Sequence, residues 1–170
     1  MSDLGEEGVG RSNVMIRFNI PELGDYNLEH LVMDVNGTLA VDGQLIEGVG
    51  EKIESLRSTL IIHLLTANTH GRQAVIDQQL GLTAVRITPG GEALQKAEYV
   101  RRLGSEKVAA IGQGANDAEM LAAAQLGICV MSMEGVAKET LLASNLIAPN
   151  ILSALELFEN PKRMIASLRR

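Results

Sequence analysis

The amino-acid sequence predicts an α/β domain in which helices cover both faces of a parallel sheet. Short apolar runs alternate with segments of helical period, which is the pattern of repeated strand, helix and strand units. Of the 170 residues, 46% are hydrophobic but only 2% are aromatic, so the core must be aliphatic. This composition is typical of helices packed on a parallel sheet, and the length suits one domain.

The elements follow a Gly-rich, polar start. Residues 1–12 are expected to be mobile and residues 13–170 to form the single domain. Alternating apolar residues predict a strand at 14–20, and a turn is expected at 21–27. Apolar runs predict further strands at 31–33, 60–65, 84–87, 107–111, 127–131 and 145–148. Helical periods predict helices at 49–59, 70–80, 91–103, 116–125, 134–143, 150–158 and 161–169.

Composition excludes several classes of function. The formal net charge of −6 gives no general attraction to nucleic acid or to anionic lipid. The strongest apolar stretch, 60–65, is far too short to cross a bilayer, and the acidic start lacks the features of a signal peptide. The single cysteine, Cys129, is expected to be buried and cannot form an intrachain disulfide. We therefore expect a cytoplasmic protein that binds neither nucleic acid nor membranes.

Polar residues follow three of the predicted strands. Asp34 ends the run "LVM", Thr66 ends "LIIHLL", and the segment "GQGAND" (112–117) follows "KVAAI". Lys96 lies on the helix predicted after "TPGG". Because the carboxyl ends of parallel strands meet at one edge of a sheet, these groups are expected to form one site.

Each of these residues also has a simpler interpretation. Asp34 before Gly-Thr is compatible with an Asx-turn, Thr66 and Asn116 with helix caps, and Lys96 with a solvated helix face. His63 is expected to be a packed strand residue. The segment "GQGAND" is a poor dinucleotide fingerprint, because it lacks the third glycine and follows a late strand. The joint occurrence of the polar strand ends favours a site.

These segments, in this order, resemble the haloacid dehalogenase superfamily of phosphohydrolases and phosphotransferases. The family pattern is D-x-D-G-T, then Thr or Ser, then Lys, then a loop of the type G-D-G-x-N-D. It corresponds here to residues 34–38, Thr66, Lys96 and 112–117, and the resemblance covers roughly 30–150. Within the superfamily, "DVNGTLAVDG" and "GANDAEML" look like the phosphorylation domain of P-type ATPases and its small soluble relatives.

The resemblance implies a three-layer, Rossmann-like fold with a parallel central sheet and no separate cap domain. Asp42-Gly43, within 39–49, predicts only a small hairpin that would act as a flap. The interval between Asp34 and Thr66 has no room for an inserted nucleotide-binding domain, which argues against a pump and against ATP hydrolysis. An open site favours a small phosphorylated substrate or a phosphorylated macromolecule, and a homo-oligomer that covers it is plausible.

The resemblance also assigns roles. Asp34 would attack phosphorus and form an aspartyl-phosphate with the help of Mg²⁺, while Thr66 and Lys96 would hold phosphate oxygens. The residues expected to support the phosphate are Asn36, Gly37, Thr38, Ala67, Asn68 and Asn116. The residues expected to hold the metal are Asp34, Asn36 through its backbone carbonyl, Gln113 and Asp117.

Three amides stand where related proteins usually have acids. Asn36 replaces the Asp that protonates the leaving group, a role typically worth about 10²–10⁴ in rate. Gln113 replaces a carboxylate that helps to bind Mg²⁺, and Asn68 is often acidic in the soluble relatives. We therefore expect a slow Mg²⁺-dependent phosphohydrolase. The alternative is a non-catalytic module that binds phosphate, a ligand or a protein, whereas a receiver-like regulator fits worse.

Overall fold

The computed structural model describes residues 14–67 and 71–170. The strands are β1 (Ile16–Ile20), β2 (Gly24–Leu28), β3 (His30–Asp34), β4 (Ala40–Val41), β5 (Gln44–Leu45), β6 (Ile61–Thr66), β7 (Val85–Arg86), β8 (Val108–Gly112), β9 (Leu126–Val130) and β10 (Leu146–Ala148). The helices are α1 (Val49–Leu56), α2 (Gln73–Leu80), α3 (Glu92–Leu103), α4 (Ala118–Ala123), α5 (Lys138–Ala143), α6 (Ile151–Glu159) and α7 (Pro161–Leu168). The expectation for residues 1–12 lies outside the described residues.

The central sheet is parallel, as the sequence predicts. Its strand order is β10-β9-β8-β3-β6-β7, so β3 lies between β8 and β6. Along this register Met33 is opposite Ile111 of β8, and Asp34 is opposite Leu65 of β6. The last residues of β3, β6 and β8 therefore lie at one edge of the sheet, where loops and ligands meet in open α/β folds.

Both faces of the sheet are covered. Along β3, Leu31 and Met33 join the larger apolar cluster, with α1, α2, α6, α7 and the β1–β2 hairpin. Val32 points into a second cluster with α3 and α4. This alternation is the period of two expected of a strand buried between two helical layers. Cys129 belongs to the second cluster and is buried, as predicted.

The first hairpin corrects one prediction. The turn expected over 21–27 is confined to its first three residues, and β2 pairs antiparallel with β1. The polar residues of "GDYNL" face outward, whereas Tyr26 and Leu28 are buried. The ring of Tyr26 stacks on Phe18 with centroids 5.2 Å apart. Alternation over so short a strand is hidden by its turn-forming residues.

Several element boundaries also differ from the predicted ones, and two of them illustrate the reason. The helix predicted from 134 begins only at Lys138, because the chain turns at Ser132–Gly135, where Gly135 has a φ of 86°. The strand predicted over 84–87 is the two-residue edge strand β7. Both differences lie where the chain leaves the sheet, and there turn geometry outweighs hydrophobic pattern.

The predicted small hairpin is present as β4–β5. Asp42 and Gly43 have φ values of 52° and 73°, the left-handed conformations that a tight two-residue turn requires. Between β3 and β6 the chain contains only this hairpin and α1. Among the residues described, no helix has the length and apolar character needed to cross a bilayer.

Candidate active site

Asp34 lies at the end of β3, at the centre of the sheet edge. The residue as a whole is only 5% exposed. Oδ1 accepts a 2.7 Å hydrogen bond from Nζ of Lys96, and Oδ2 accepts one of 3.1 Å from Oγ1 of Thr38. Burial raises the pKa of Asp34 most and Asp117 raises it further, so it lies at about 7 although Lys96 and Thr38 act in the other direction. The group is thus poised to titrate near neutral pH.

Lys96 projects from α3 into this edge of the sheet and is completely buried. Its Nζ lies 2.7 Å from Oδ1 of Asp34 and 2.7 Å from Oδ1 of Asp117. Burial alone would lower the pKa of the ammonium, but the two carboxylates outweigh it and hold that pKa above its ordinary value. Of the two positions that the sequence leaves open for this lysine, the structure shows the buried one.

Asp117 organises the loop after β8. Its Oδ2 accepts hydrogen bonds of 3.0 Å from the backbone N–H groups of both Gln113 and Gly114. A Cβ on Gly112 would lie 2.5 Å from the Cβ of Asp117, so only glycine permits this close approach. Asn116 is half-buried in the same loop, and the residue at the N-cap of α4 is Asp117, not Asn116.

The loop after β3 turns back tightly beside β6. The N–H groups of Thr38, Leu39 and Ala40 all donate to the Val35 carbonyl. Gly37 makes the turn with a φ of 81°. The compact loop holds Thr38 beside the Asp34 carboxylate.

Asn36 and Thr66 connect the ends of β3 and β6. The Nδ2 group of Asn36 donates a 3.0 Å hydrogen bond to Oγ1 of Thr66, and Thr66 is completely buried. Ala67 follows at the same edge, whereas Asn68 lies outside the described residues. Thr66 accepts from the amide at position 36. Because a hydroxyl can also donate, a carboxylate at position 36 could accept a hydrogen bond from the same Thr66.

Glu134 is a neighbour of the site that the sequence analysis missed. A Cβ on Gly37 would lie 2.7 Å from Oε2 of Glu134 and 2.8 Å from Nε2 of Gln113, so both side chains reach the loop after β3. The Gln113 side chain is buried, and Glu134 is exposed. The signal was present in the pattern, because "SMEG" (132–135) follows the predicted strand 127–131 and therefore lies at the same edge of the sheet.

The oxygen donors at this edge decide whether a divalent ion fits. Asp34 offers a carboxylate, Gln113 a buried amide, and Asn36 its backbone carbonyl, whereas Asp117 already accepts three hydrogen bonds. No group of three or more His, Cys, Asp or Glu side chains able to hold a metal occurs within 14–67 and 71–170. Mg²⁺ commonly keeps several waters and uses one or two carboxylates plus substrate phosphate. The residues present therefore fit Mg²⁺, with fewer charged ligands than a site with three acids.

Comparison with known proteins identifies the family. A family model described as haloacid dehalogenase-like hydrolase matches residues 90–146. An uncharacterised protein of Methanocaldococcus jannaschii is 38% identical over 84 residues, which cover 47% of this chain and 90% of that protein. The chain belongs to the haloacid dehalogenase superfamily. The resemblance that its motifs predict is thus confirmed.

The similarity to P-type ATPases and the predicted fold are confirmed as well. A probable copper-importing P-type ATPase A of Enterococcus hirae is 31% identical over 128 residues, 71% of this chain but only 18% of that protein. The chain therefore spans a small part of the length of the pump. Among solved structures, 3-deoxy-D-manno-octulosonate 8-phosphate phosphatase from Moraxella catarrhalis, in complex with magnesium, phosphate and the sugar acid, superposes with a TM-score of 0.59. It is 20% identical and covers 84% of this chain and 94% of that one, a likeness of fold.

Proposed function

We propose that this member of the superfamily is a slow, Mg²⁺-dependent phosphohydrolase that acts through an aspartyl-phosphate on Asp34. The observation that carries the proposal is the buried pair of Asp34 and Lys96 at the carboxyl edge of the sheet. A fixed ammonium beside the carboxylate holds one of its oxygens and leaves the other to react. The family description and the phosphatases that share the fold support a hydrolase acting on phosphate esters.

In the first step, Oδ2 of Asp34 attacks phosphorus. The new Oδ2–P bond forms as the bond from phosphorus to the ester oxygen breaks, and that oxygen leaves with a proton from water. Lys96 fixes the carboxylate through Oδ1, and Thr38 orients Oδ2. Thr66 and Asn36, already joined by a hydrogen bond, would contact the transferred phosphate oxygens. Water then hydrolyses the aspartyl-phosphate, and inorganic phosphate is released.

Mg²⁺ would be held by Asp34, the backbone carbonyl of Asn36 and the side chain of Gln113. When bound, it would neutralise the negative charge shared by the Asp34 carboxylate and the phosphate oxygens. Asp117 is the fourth ligand expected from the sequence. Its carboxylate would have to bind the ion while it also accepts hydrogen bonds from Lys96 and from two backbone N–H groups of the loop. We expect weak affinity for the ion. Of its two carboxylate ligands, only Asp34 is not already bonded to backbone N–H groups.

Slow turnover follows from position 36. An amide can donate a hydrogen bond to the leaving oxygen but cannot give it a proton or later activate water.

The amides Asn36 and Gln113 also favour a second candidate, a non-catalytic module that retains a phosphorylated ligand or a protein partner. A small phosphorylated substrate remains the preferred ligand. A cytoplasmic location and a homo-oligomer stay predictions.

The test measures phosphate release from phenyl phosphate with and without Mg²⁺. Native protein is compared with Asp34→Asn and with Asp42→Asn, a matched change in the turn of the β4–β5 hairpin. Turnover that requires Mg²⁺, disappears in Asp34→Asn and survives in Asp42→Asn would support the phosphohydrolase. Equal inertness of all three proteins, with phosphate still bound in a direct titration, would favour the non-catalytic module.

A further inference from the structure

A cleft of about 430 Å³ opens beside the loop after β3. It starts at Gly37 and Thr38, runs along the β4–β5 hairpin, and is closed by residues 131–133 after β9 and 149–152 after β10. The volume lies in the range typical of small-molecule sites. The cleft is therefore large enough for an organic group attached to a phosphate at Asp34.

One wall of the cleft is shared with the site at Asp34. Thr38 lines the cleft, and its Oγ1 lies 3.1 Å from Oδ2 of Asp34, the oxygen proposed to attack phosphorus. Gly37 lines it as well and carries no side chain between the loop and the cleft. The cleft thus adjoins the Asp34 carboxylate, with one side chain, that of Thr38, contacting both.

The chemistry of the walls is one-sided. None of the described residues that line the cleft is ionisable. Val41 of the hairpin and Ile46, which directly follows it, line the cleft together with Met131, Met133 and Leu152. Met131 is 46% exposed and Met133 is 91% exposed, unusually open positions for apolar side chains. A sugar or nucleotide would find few partners here for its hydroxyl or charged groups, and these groups would lose water without compensation.

We infer that the cleft binds the organic group of a phosphomonoester, and that this group is uncharged and apolar, with an aromatic ring the best fit. The inference rests on the proposed phosphohydrolase function and names its substrate class. Methionine thioethers make favourable contacts with aromatic rings and adapt to their shape. Burial of the organic group would add binding free energy at a point remote from phosphorus, which an open site otherwise lacks.

The test compares two aryl phosphates whose phenolic leaving groups have similar acidity. Phosphate release is measured for phenyl phosphate and for 1-naphthyl phosphate, whose second ring would extend into the cleft. We expect kcat/KM to be about tenfold higher for the naphthyl ester, within the range for added apolar contact in a pocket. In the double variant Met131→Gln, Met133→Gln this ratio should fall towards one. Leu142→Gln on α5 is the control, because Leu142 is 71% exposed and does not line the cleft.

A binding experiment separates this inference from the proposed function. 1-Naphthylmethylphosphonate and methylphosphonate, which cannot be hydrolysed at their P–C bond, are titrated into native protein by calorimetry. Tighter binding of the naphthyl compound that is lost in the methionine double variant supports the inference even if no ester turns over. In that case only the phosphohydrolase proposal fails.

Two outcomes would overturn the inference. One is turnover of both esters with equal kcat/KM and equal affinity for the two phosphonates, which leaves the phosphohydrolase intact but removes the apolar subsite. The other is a change of mass by light scattering in the methionine double variant with unchanged phosphonate binding. That result would assign the cleft to contact with a second copy of the chain.

Discussion

The ammonium of Lys96 lies 2.7 Å from the carboxylate of Asp34, and the structure buries both groups. The contact joins α3 to the end of β3 across 62 residues of chain. Because Lys96 also contacts Asp117, one positive charge faces two carboxylates in a space with little water. Burial raises the pKa of Asp34 most and the second carboxylate, Asp117, raises it further, so that this pKa lies at about 7.

Replacing Lys96 with Met should strongly destabilise the fold. It leaves two buried carboxylates without their cation, and breaking a buried ion pair costs about 3–5 kcal/mol. Urea unfolding at pH 7.5 measures the free energy of unfolding. Lys52→Met is the matched control, because Lys52 pairs with Glu159 at 2.7 Å on the surface, where screening weakens the contact. Equal losses in the two variants would contradict the structural role of the buried pair.

The stability contributed by Asp34 should fall as pH rises. Its pKa is about 7 in the folded protein and near 3.8 when unfolded, so the folded state binds the proton more tightly. That contribution is complete below pH 4 and is lost between pH 4 and pH 7. The free energy of unfolding of native protein minus that of Asp34→Asn should therefore decrease across this window. A flat difference curve would mean that burial does not perturb the group.

Substituting Asn36 with Asp should accelerate turnover by about 10²–10⁴, the usual worth of a general acid or base. The new carboxylate can accept from the hydroxyl of Thr66, so the contact between β3 and β6 survives with its polarity reversed. Phosphate release from phenyl phosphate is the measurement. Asn27→Asp on the exposed side of β2 makes the same change of charge and should leave the rate unchanged. A gain in both variants would point to net charge instead.

Alanine at Gly37 should reduce activity more than stability. Gly37 and Gly90 have φ values of 81° and 90°, so alanine at either costs about 1 kcal/mol in backbone strain. Only at Gly37 would the added Cβ also displace the ends of Gln113 and Glu134, since nothing lies within 4 Å of a Cβ on Gly90. Urea unfolding should therefore give similar losses, and Mg²⁺-dependent phosphate release should fall in Gly37→Ala alone. Similar activity in the two variants would remove Gln113 from the site.

His63 should make the fold sensitive to acid. Burial lowers the pKa of His63 to about 4, with a smaller effect from His30, whose ring nitrogen lies 3.0 Å away. Tyr99 lies 2.9 Å from the other nitrogen. As pH falls, the unfolded chain protonates His63 at about pH 6.5, before the folded protein does. The stability that neutral His63 contributes is therefore complete above pH 6.5 and is lost as pH falls to 4. The free energy of unfolding of His63→Gln should depend less on pH between 4 and 6.5 than that of the native protein. An equal pH dependence of the two proteins over this range would show that His63 is not the responsible group.

The hydrophobic pattern was sufficient for the architecture. Buried parallel strands are continuous apolar runs, so β3, β6, β8 and β9 could be recognised directly. The β2 strand could not, because "GDYNL" is exposed on one side and contains residues that also favour turns. Its pairing with β1 and the stacking of Tyr26 on Phe18 outweigh those local preferences.

The order of motifs along the chain was enough to name the candidate nucleophile. Asp34, Thr66 and the loop at 112–117 each follow a predicted strand, and strand order in a parallel sheet brings such ends together. The position of each group directly after a predicted strand was therefore sufficient to place all of them at one edge of the sheet. The amides at Asn36 and Gln113 were equally visible, and slow turnover was expected from them alone.

Tertiary structure alone decided the state of Lys96 and the surroundings of Asp34. Helical period left Lys96 free to face solvent or the site, and the choice depends on how α3 packs against α4 and the turn at Ala115–Asp117. The approach of Glu134 to Gly37, the pKa of Asp34 and the apolar cleft arise in the same way. Charge interactions and cavities depend on distances through space, and residues far apart in sequence acquire these distances only when the chain folds.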